Sequence, residues 1–286
     1  MTNLTSEQLG DGDLPIPELY RSGRAKRRRS QQFRFAAYAA GLTTAVAIGL
    51  TADWATIGDK YFNPEIAKAL FPDIITVGAK NTLTYTAFAF VGGVILGLGA
   101  ALLRLSSIRP YRWIAAVYIE IFRGLPAILT ITLVGFLTPI ALGFTWPKIL
   151  GVPTGGVVAL ALVAGAYLAE TVRAGLEAVP KGQVEAARSL GMTQSQTLRR
   201  VVVPQAFRIV IPPLTNEFVL LLKDTSLLSI LGFLIEEKEI TKFGRDAAQK
   251  GFNGTPLVVA GMVYLVITIP LTRLVAVLER RNKANQ

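Results

Sequence analysis

Lys223 and Asp224 stand side by side in a stretch, residues 209–235, that is otherwise apolar enough to cross a membrane and is interrupted besides only by Glu217. A charge near the centre of a membrane-crossing helix costs about 2.5–3.5 kcal/mol, so such residues face a bundle interior or a watery cavity and mark a path, a gate or a clamp between helices. Neighbouring residues on a helix point in different directions, so these two cannot neutralise one another well and each needs a partner elsewhere. Glu120 and Arg123 are three residues apart, as are Glu170 and Arg173, a spacing that allows pairing within one helix. Lys223, backed by Arg123 or Arg173, would make a path electropositive and suit a substrate carboxylate; the same charges serve equally as clamps or as an inner gate. Thr82, Thr84, Thr130, Thr132 and Tyr167 offer hydroxyls to a passing solute, although hydroxyls in such helices more often join helix to helix.

Catalysis has little to draw on here. The chain holds no cysteine and no histidine, which removes thiolate nucleophiles, disulfides, the common zinc and iron–sulfur ligand sets and the usual neutral-pH proton carrier. Its 286 residues are 51% hydrophobic and only 17% charged, against about 25% charged in soluble domains. The elements that must position those charges are therefore membrane helices. Uncharged runs long enough for about 30 Å of hydrocarbon occur at 35–52, 81–103, 124–147, 149–169 and 251–272, and 209–235 makes a sixth.

The net charge of +11 raises nucleic acid as a partner, but the placement of the charge argues against it. Nineteen of the 30 basic residues lie in the 1–34 tail, the 104–112 loop, the 173–208 segment and the C-terminus, against eight in the opposite loops. By the positive-inside rule, six spans then have both termini in the cytoplasm, and the basic run 21–34 anchors the first span. The tail 1–34 reads as a polar cytoplasmic segment, with residues 1–20 disordered or peripherally docked, 35–52 as a signal anchor, and 53–73 as an extracytoplasmic stretch holding an interfacial helix that ends at Pro72. The next apolar stretch starts at Ile74. Gly93 and Gly97 give a small-xxx-small spacing for close helix packing. Pro212 and Pro213 predict a break at the start of the fifth span.

Segment 175–208 is too polar to span and too regular to be disordered. Pro180 suits a first helical turn, 183–190 are good helix formers, and Gly191 falls where a left-handed cap is expected. Thr193 with Gln196 forms the pattern of a capping box for a second helix. The expected product is a helix, a glycine elbow and a helix, with Ala186 and Ala187 leaving a smooth surface for another protein; an amphipathic loop lying on the membrane fits the spacing as well.

The string Gln183-Val184-Glu185-Ala186-Ala187-Arg188-Ser189-Leu190-Gly191, with Pro204-Gln205-Ala206 following, resembles the EAA loop of bacterial ABC-transporter permeases. Tyr118 to Pro126, Ala166 to Arg173 and Leu222 to Leu227 are similar to the polar amino-acid branch of that family, and the likeness runs from about residue 76 to 278. The resemblance implies an all-α integral membrane protein of six helices: a five-helix permease core, residues 74–286, plus one additional N-terminal helix. It implies a second permease subunit, identical or homologous, an ABC ATPase dimer, an extracytoplasmic amino-acid-binding protein, membrane lipid, and residence in the bacterial inner membrane. Glu185, Ala186, Ala187, Leu190 and Gly191 would dock on the ATPase, while Thr84, Glu120, Arg123, Tyr167, Glu170, Arg173, Lys223 and Asp224 would line or gate the path. The chain has no GxxxxGK[ST] loop, Gly78-Ala79-Lys80 being only a fragment of one, so ATP and magnesium would belong to the partner and no cofactor to this chain. Where many relatives read Arg-Gly-Thr-Pro, this chain has Arg123-Gly124-Leu125-Pro126, which looks closer to the glutamate type and makes glutamate the first expected substrate, with glutamine next. A secondary transporter or channel is the rival reading, although no internal repeat supports it, and a basic membrane-anchored scaffold is the second.

Overall fold

The computed structural model describes the backbone of residues 16–232 and 234–284. Residues 1–15, part of the segment expected to be disordered or docked, lie outside them. Contacts divide the chain into two compact units, 1–57 and 58–286.

In the first unit, α1 (Ile16–Thr51) starts well before the apolar run, so residue 35 is not a helix boundary. The reason is local. Residues 18–34 are mostly helix formers with Gly23 as the one weak position, so the helix propagates back to Pro17, which is favoured in a first turn. Its apolar part, Ser30–Thr51, has the length and hydropathy of a span and is unburied within the chain. At its end Trp54 Nε1 donates to the Gly49 carbonyl at 2.7 Å, and α2 (Trp54–Tyr61) follows.

The second unit opens with α3 (Pro64–Ala69), whose start is fixed by Asn63 accepting from the Glu65 and Ile66 amides. That cap and Pro64 split the single interfacial helix expected over 61–71. A wider π turn, Ile74–Ala79, leads into α4 (Lys80–Arg104), so the span begins at Ile74 as the sequence suggests. Next come α5 (Arg109–Gly124), α6 (Ala127–Thr130), a π turn over Ile131–Leu137 and α7 (Thr138–Leu142). The chain bends by 110° between α5 and the line of α6 and α7, where Leu125 and Pro126 adopt extended backbone. A hairpin absent from the sequence reading, β1 (Lys148–Ile149) paired antiparallel with β2 (Val152–Pro153), turns through Leu150 and Gly151, both at positive φ.

Helix α8 (Thr154–Glu177) is the centre of the bundle and runs eight residues beyond the uncharged run 149–169, with the expected Glu170–Arg173 pair and Glu177 along its surface. It packs in parallel on α4 through small residues. A Cβ at Gly97 would lie 2.8 Å from the Leu168 Cβ, and one at Gly93 would lie 3.0 Å from the Ala164 Cβ, so the predicted close approach is real and depends on glycine. The rest comprises α9 (Lys181–Ser189), α10 (Gln194–Thr197), a π turn over Leu198–Val202, α11 (Val203–Asp224), α12 (Ile240–Gly251) and α13 (Thr255–Ala284). Contrary to expectation, α11 continues through Pro212 and Pro213. Its packing against α8 and α13 holds the helix where the ladder lacks two N–H donors.

Among the described residues four helical stretches are long and apolar enough to span, and the bent pair 109–142 makes a fifth. The stretch expected at 209–235 corresponds to α11 and a 3-10 turn, Thr225–Ile230. The core gathers Tyr85, Ala89, Ile131, Leu160, Ala164, Leu221 and Leu228 between α4, α8 and α11.

Candidate functional site

The elbow at residues 181–197 is built by caps. Gly191 sits at φ +85°, its N–H donates to the Arg188 carbonyl, and the Met192 N–H donates to the Ala187 carbonyl, which closes α9 with the left-handed residue that glycine tolerates best. The Thr193 hydroxyl then accepts from the Gln196 amide while the Gln196 side chain accepts from the Thr193 N–H, and α10 begins. Glu185, Ala186 and Leu190 are exposed, Leu190 at 83%. Ala187 is buried at 5%. It seats α9 on its own chain, three residues from Val184, which packs against Val179, Val202 and Ala206. Of the five residues expected to face the ATPase, Ala187 is thus turned inward by the helical period.

At the same end of the bundle α4, α5 and α8 enclose a cavity of about 520 Å³ reached by Arg104, Glu120, Arg123, Tyr167, Glu170 and Arg173. Arg173 holds Glu170 at 2.7 Å and Glu177 at 2.6 Å. The expected Glu120–Arg123 pair does not form; the Arg123 guanidinium lies 5.4 Å from the centre of the Tyr167 ring instead, a cation–π distance. One turn of spacing permits an ion pair but does not compel it when an aromatic face on a neighbouring helix competes.

Tyr167 also borders a second cavity of about 300 Å³ between α6, α8 and α11, with Leu125, Leu160 and Ala164 as apolar wall and Glu217 and Asp224 as its charged lining. Seven residues apart, these carboxylates share one face of α11. Lys223 is exposed and lies off this wall, so the charge that reaches the cavity is negative where the sequence reading expected positive. In the sequence Glu217 stands out only as an interruption of the apolar run, and its i, i+7 relation to Asp224 is the signal that places it on this face. Thr84 lies apart from these cavities and donates to the Lys80 carbonyl at 2.8 Å, and Thr82 and Thr132 likewise bond carbonyls of their own helices.

Residues 93–284 match the family model described as "Binding-protein-dependent transport system inner membrane component", a match that covers most of the chain and includes the residues lining both cavities. The chain belongs to that family. The permease is 36% identical over 219 residues to the L-cystine transport system permease protein of Bacillus subtilis strain 168, covering 76% of this chain and 90% of that one. It is 34% identical over 220 residues to the arginine transport system permease protein of the same organism, covering 76% and 97%. In three dimensions it is similar to a chain of a crystal structure described as an amino acid ABC transporter with histidines, with TM-score 0.67, 36% identity and coverage of 73% and 94%. The permease is accordingly a helical membrane component and not an enzyme. The named cargoes of relatives this similar differ in charge, so family membership does not by itself select a substrate.

Proposed function

We propose that this permease forms the translocation path of an ATP-driven importer for a polar amino acid, with both termini in the cytoplasm. A partner ATPase dimer would grip Glu185, Ala186, Leu190 and Gly191, a second permease subunit would complete the path, and an extracytoplasmic binding protein would deliver the cargo. The observation that carries this reading is the exposed, capped elbow joined through α11 to a cavity with two carboxylates. Motion of α9 would reach the cavity through α10, the π turn and the length of α11, whose last two turns carry Glu217 and Asp224.

The cavity favours a cation. Every amino acid brings an ammonium group that Glu217 and Asp224 would receive, and a cationic side chain gains again, whereas the second carboxylate of glutamate meets like charge. The likeness of Arg123-Gly124-Leu125-Pro126 to the glutamate type favours glutamate, but Lys223, expected to make the path electropositive, lies off this wall. The substrate class read here is a zwitterionic or cationic polar amino acid.

The test is to purify the tagged permease gently, identify the copurifying ATPase, and reconstitute the complex with candidate binding proteins. ATPase activity that rises only with one loaded binding protein supports the reading. A lone chain that transports without ATP refutes it in favour of a secondary transporter. Within an active complex, Glu217→Gln and Asp224→Asn should each lower uptake about tenfold or more, the usual effect of losing a charged hydrogen bond, while insertion stays normal. Unchanged uptake in both would move the substrate path elsewhere.

A further inference from the structure

We propose that the cavity where α4 meets α5 is a binding site for the phosphate headgroup of an anionic phospholipid. The cavity, about 710 Å³, is lined by Arg104 from the end of α4, by Arg109, Arg112, Trp113 and Val117 from α5, and by a single carboxylate, Glu120. Among the described residues none of the three arginines has an ion-pair partner. Arg104 is shared with the adjoining cavity, where it acts on Glu170, but Arg109 and Arg112 against Glu120 still leave a local excess of positive charge, and the guanidinium fork matches phosphate oxygens two at a time. Helix α5 starts here without a side-chain cap, so its dipole adds to the attraction.

The second requirement comes from the apolar side of the same helix. Trp113, Val117 and Ile121, four residues apart in turn, are 72%, 46% and 47% exposed and form a stripe that begins in the cavity. A free phosphate would use the arginines and leave this stripe unmatched. A ligand with an anionic head and an acyl tail uses both, and a basic pocket between membrane helices is the kind of place where anionic headgroups settle. The bend of 110° after Gly124 sets α5 at an angle to α6 and α7, so its apolar stripe does not run on into theirs.

The test uses the full chain in vesicles of phosphatidylcholine into which brominated phosphatidylglycerol or brominated phosphatidylcholine is titrated, reading the tryptophan fluorescence that Trp113→Phe removes. Saturable quenching with a preference for the anionic lipid is expected, and Arg109→Gln and Arg112→Gln should each reduce that preference about fivefold, while Arg109→Lys restores part of it. Residual quenching by the zwitterionic lipid confirms that the variants are folded and embedded. Equal quenching by both lipids, or a preference untouched by both glutamine variants, overturns the proposal. Displacement by millimolar inorganic phosphate also overturns it, since the site would then take a free anion. A Trp113 signal that neither lipid reaches means that another protein chain covers the site, and the proposal falls in that case too.

Discussion

The two ends of the bundle are held by different kinds of bond. At the end carrying α12, side chains reach across long stretches of sequence: Asn81 donates to the Glu236 and Lys238 carbonyls at 2.7 and 3.1 Å, the Tyr85 hydroxyl donates to the Glu237 carbonyl at 2.8 Å, and the Thr82 hydroxyl accepts from the Ile240 amide. Lys148 pairs with Glu237, and Lys238 with Asp246. At the α9 end the side-chain hydrogen bonds of Arg173, Arg188, Thr193 and Thr197 join residues only three or four apart. One end is latched between elements, while at the other each element is tied mainly to itself. The asymmetry suits the proposed role, in which the subunit rocks under a partner ATPase, because local bonds survive rigid movement of the helix that carries them and long-range bonds resist it.

The largest effect is expected from unlatching the α12 end. Asn81→Ala strips two carbonyls of their donor; water replaces it at the exposed Glu236 carbonyl, while the part-buried Lys238 carbonyl left unsatisfied costs about 1–3 kcal/mol. The Tm in detergent should fall by several degrees, and an unchanged Tm would show that water replaces the amide and that the latch is weak. Glu239 is the next lever. Fully buried at the start of α12, it accepts from the Thr241 and Lys242 amides and from the Tyr264 hydroxyl, yet burial pushes its carboxyl up to about 7 from 4.5. Because the folded value is raised, its contribution to stability is complete below about pH 4.5 and is lost as pH rises through about 7. Glu239→Gln should flatten the pH dependence of Tm across that window; a slope as steep in the variant would assign it to another group.

At the α9 end the same logic predicts small losses of stability with large losses of coupling. Gly191→Ala forces a Cβ into φ +85° at a cost of about 1–2 kcal/mol, confined to an exposed elbow. Binding-protein-stimulated ATPase activity should drop by far more than the Tm shift of a few degrees explains. If Tm and coupling fall together as for Asn81→Ala, the two ends are not mechanically distinct.

How much of this the sequence revealed follows the same division. The elbow was legible because caps are local: Gly191, Thr193 and Gln196 act within six residues, and spacing alone locates them. The apolar stretches and the small-xxx-small spacing of Gly93 and Gly97 were legible for the same reason, although not that α8 is the helix they meet. The latch was not, because Asn81 and Lys238 are 157 positions apart and nothing in either neighbourhood announces the other. Nor was the sign of the α11 cavity. Periodicity put Glu217 and Asp224 on one face, but which face meets α8 is decided by tertiary packing, and that is what turned Lys223 outward and Ala187 inward.

The smallest effect concerns Arg173, and it tests whether the α9 end is as loosely tied as its bonds suggest. Arg173 bridges Glu170 and Glu177, with Glu177 the more open partner at 60% exposure and Arg173 itself at 32%. An exposed pair four residues apart on a helix contributes about 0.3–0.5 kcal/mol and is screened by salt. Glu177→Gln should therefore shift the Tm by no more than about 1–2 °C, and the shift should vanish in 1 M salt, because Arg173 keeps Glu170 whether or not Glu177 is charged. A loss comparable with that of Asn81→Ala would mean that Glu177 fixes Arg173 beneath the cavity shared with Arg123 and Tyr167, and that the α9 end is latched through this one guanidinium.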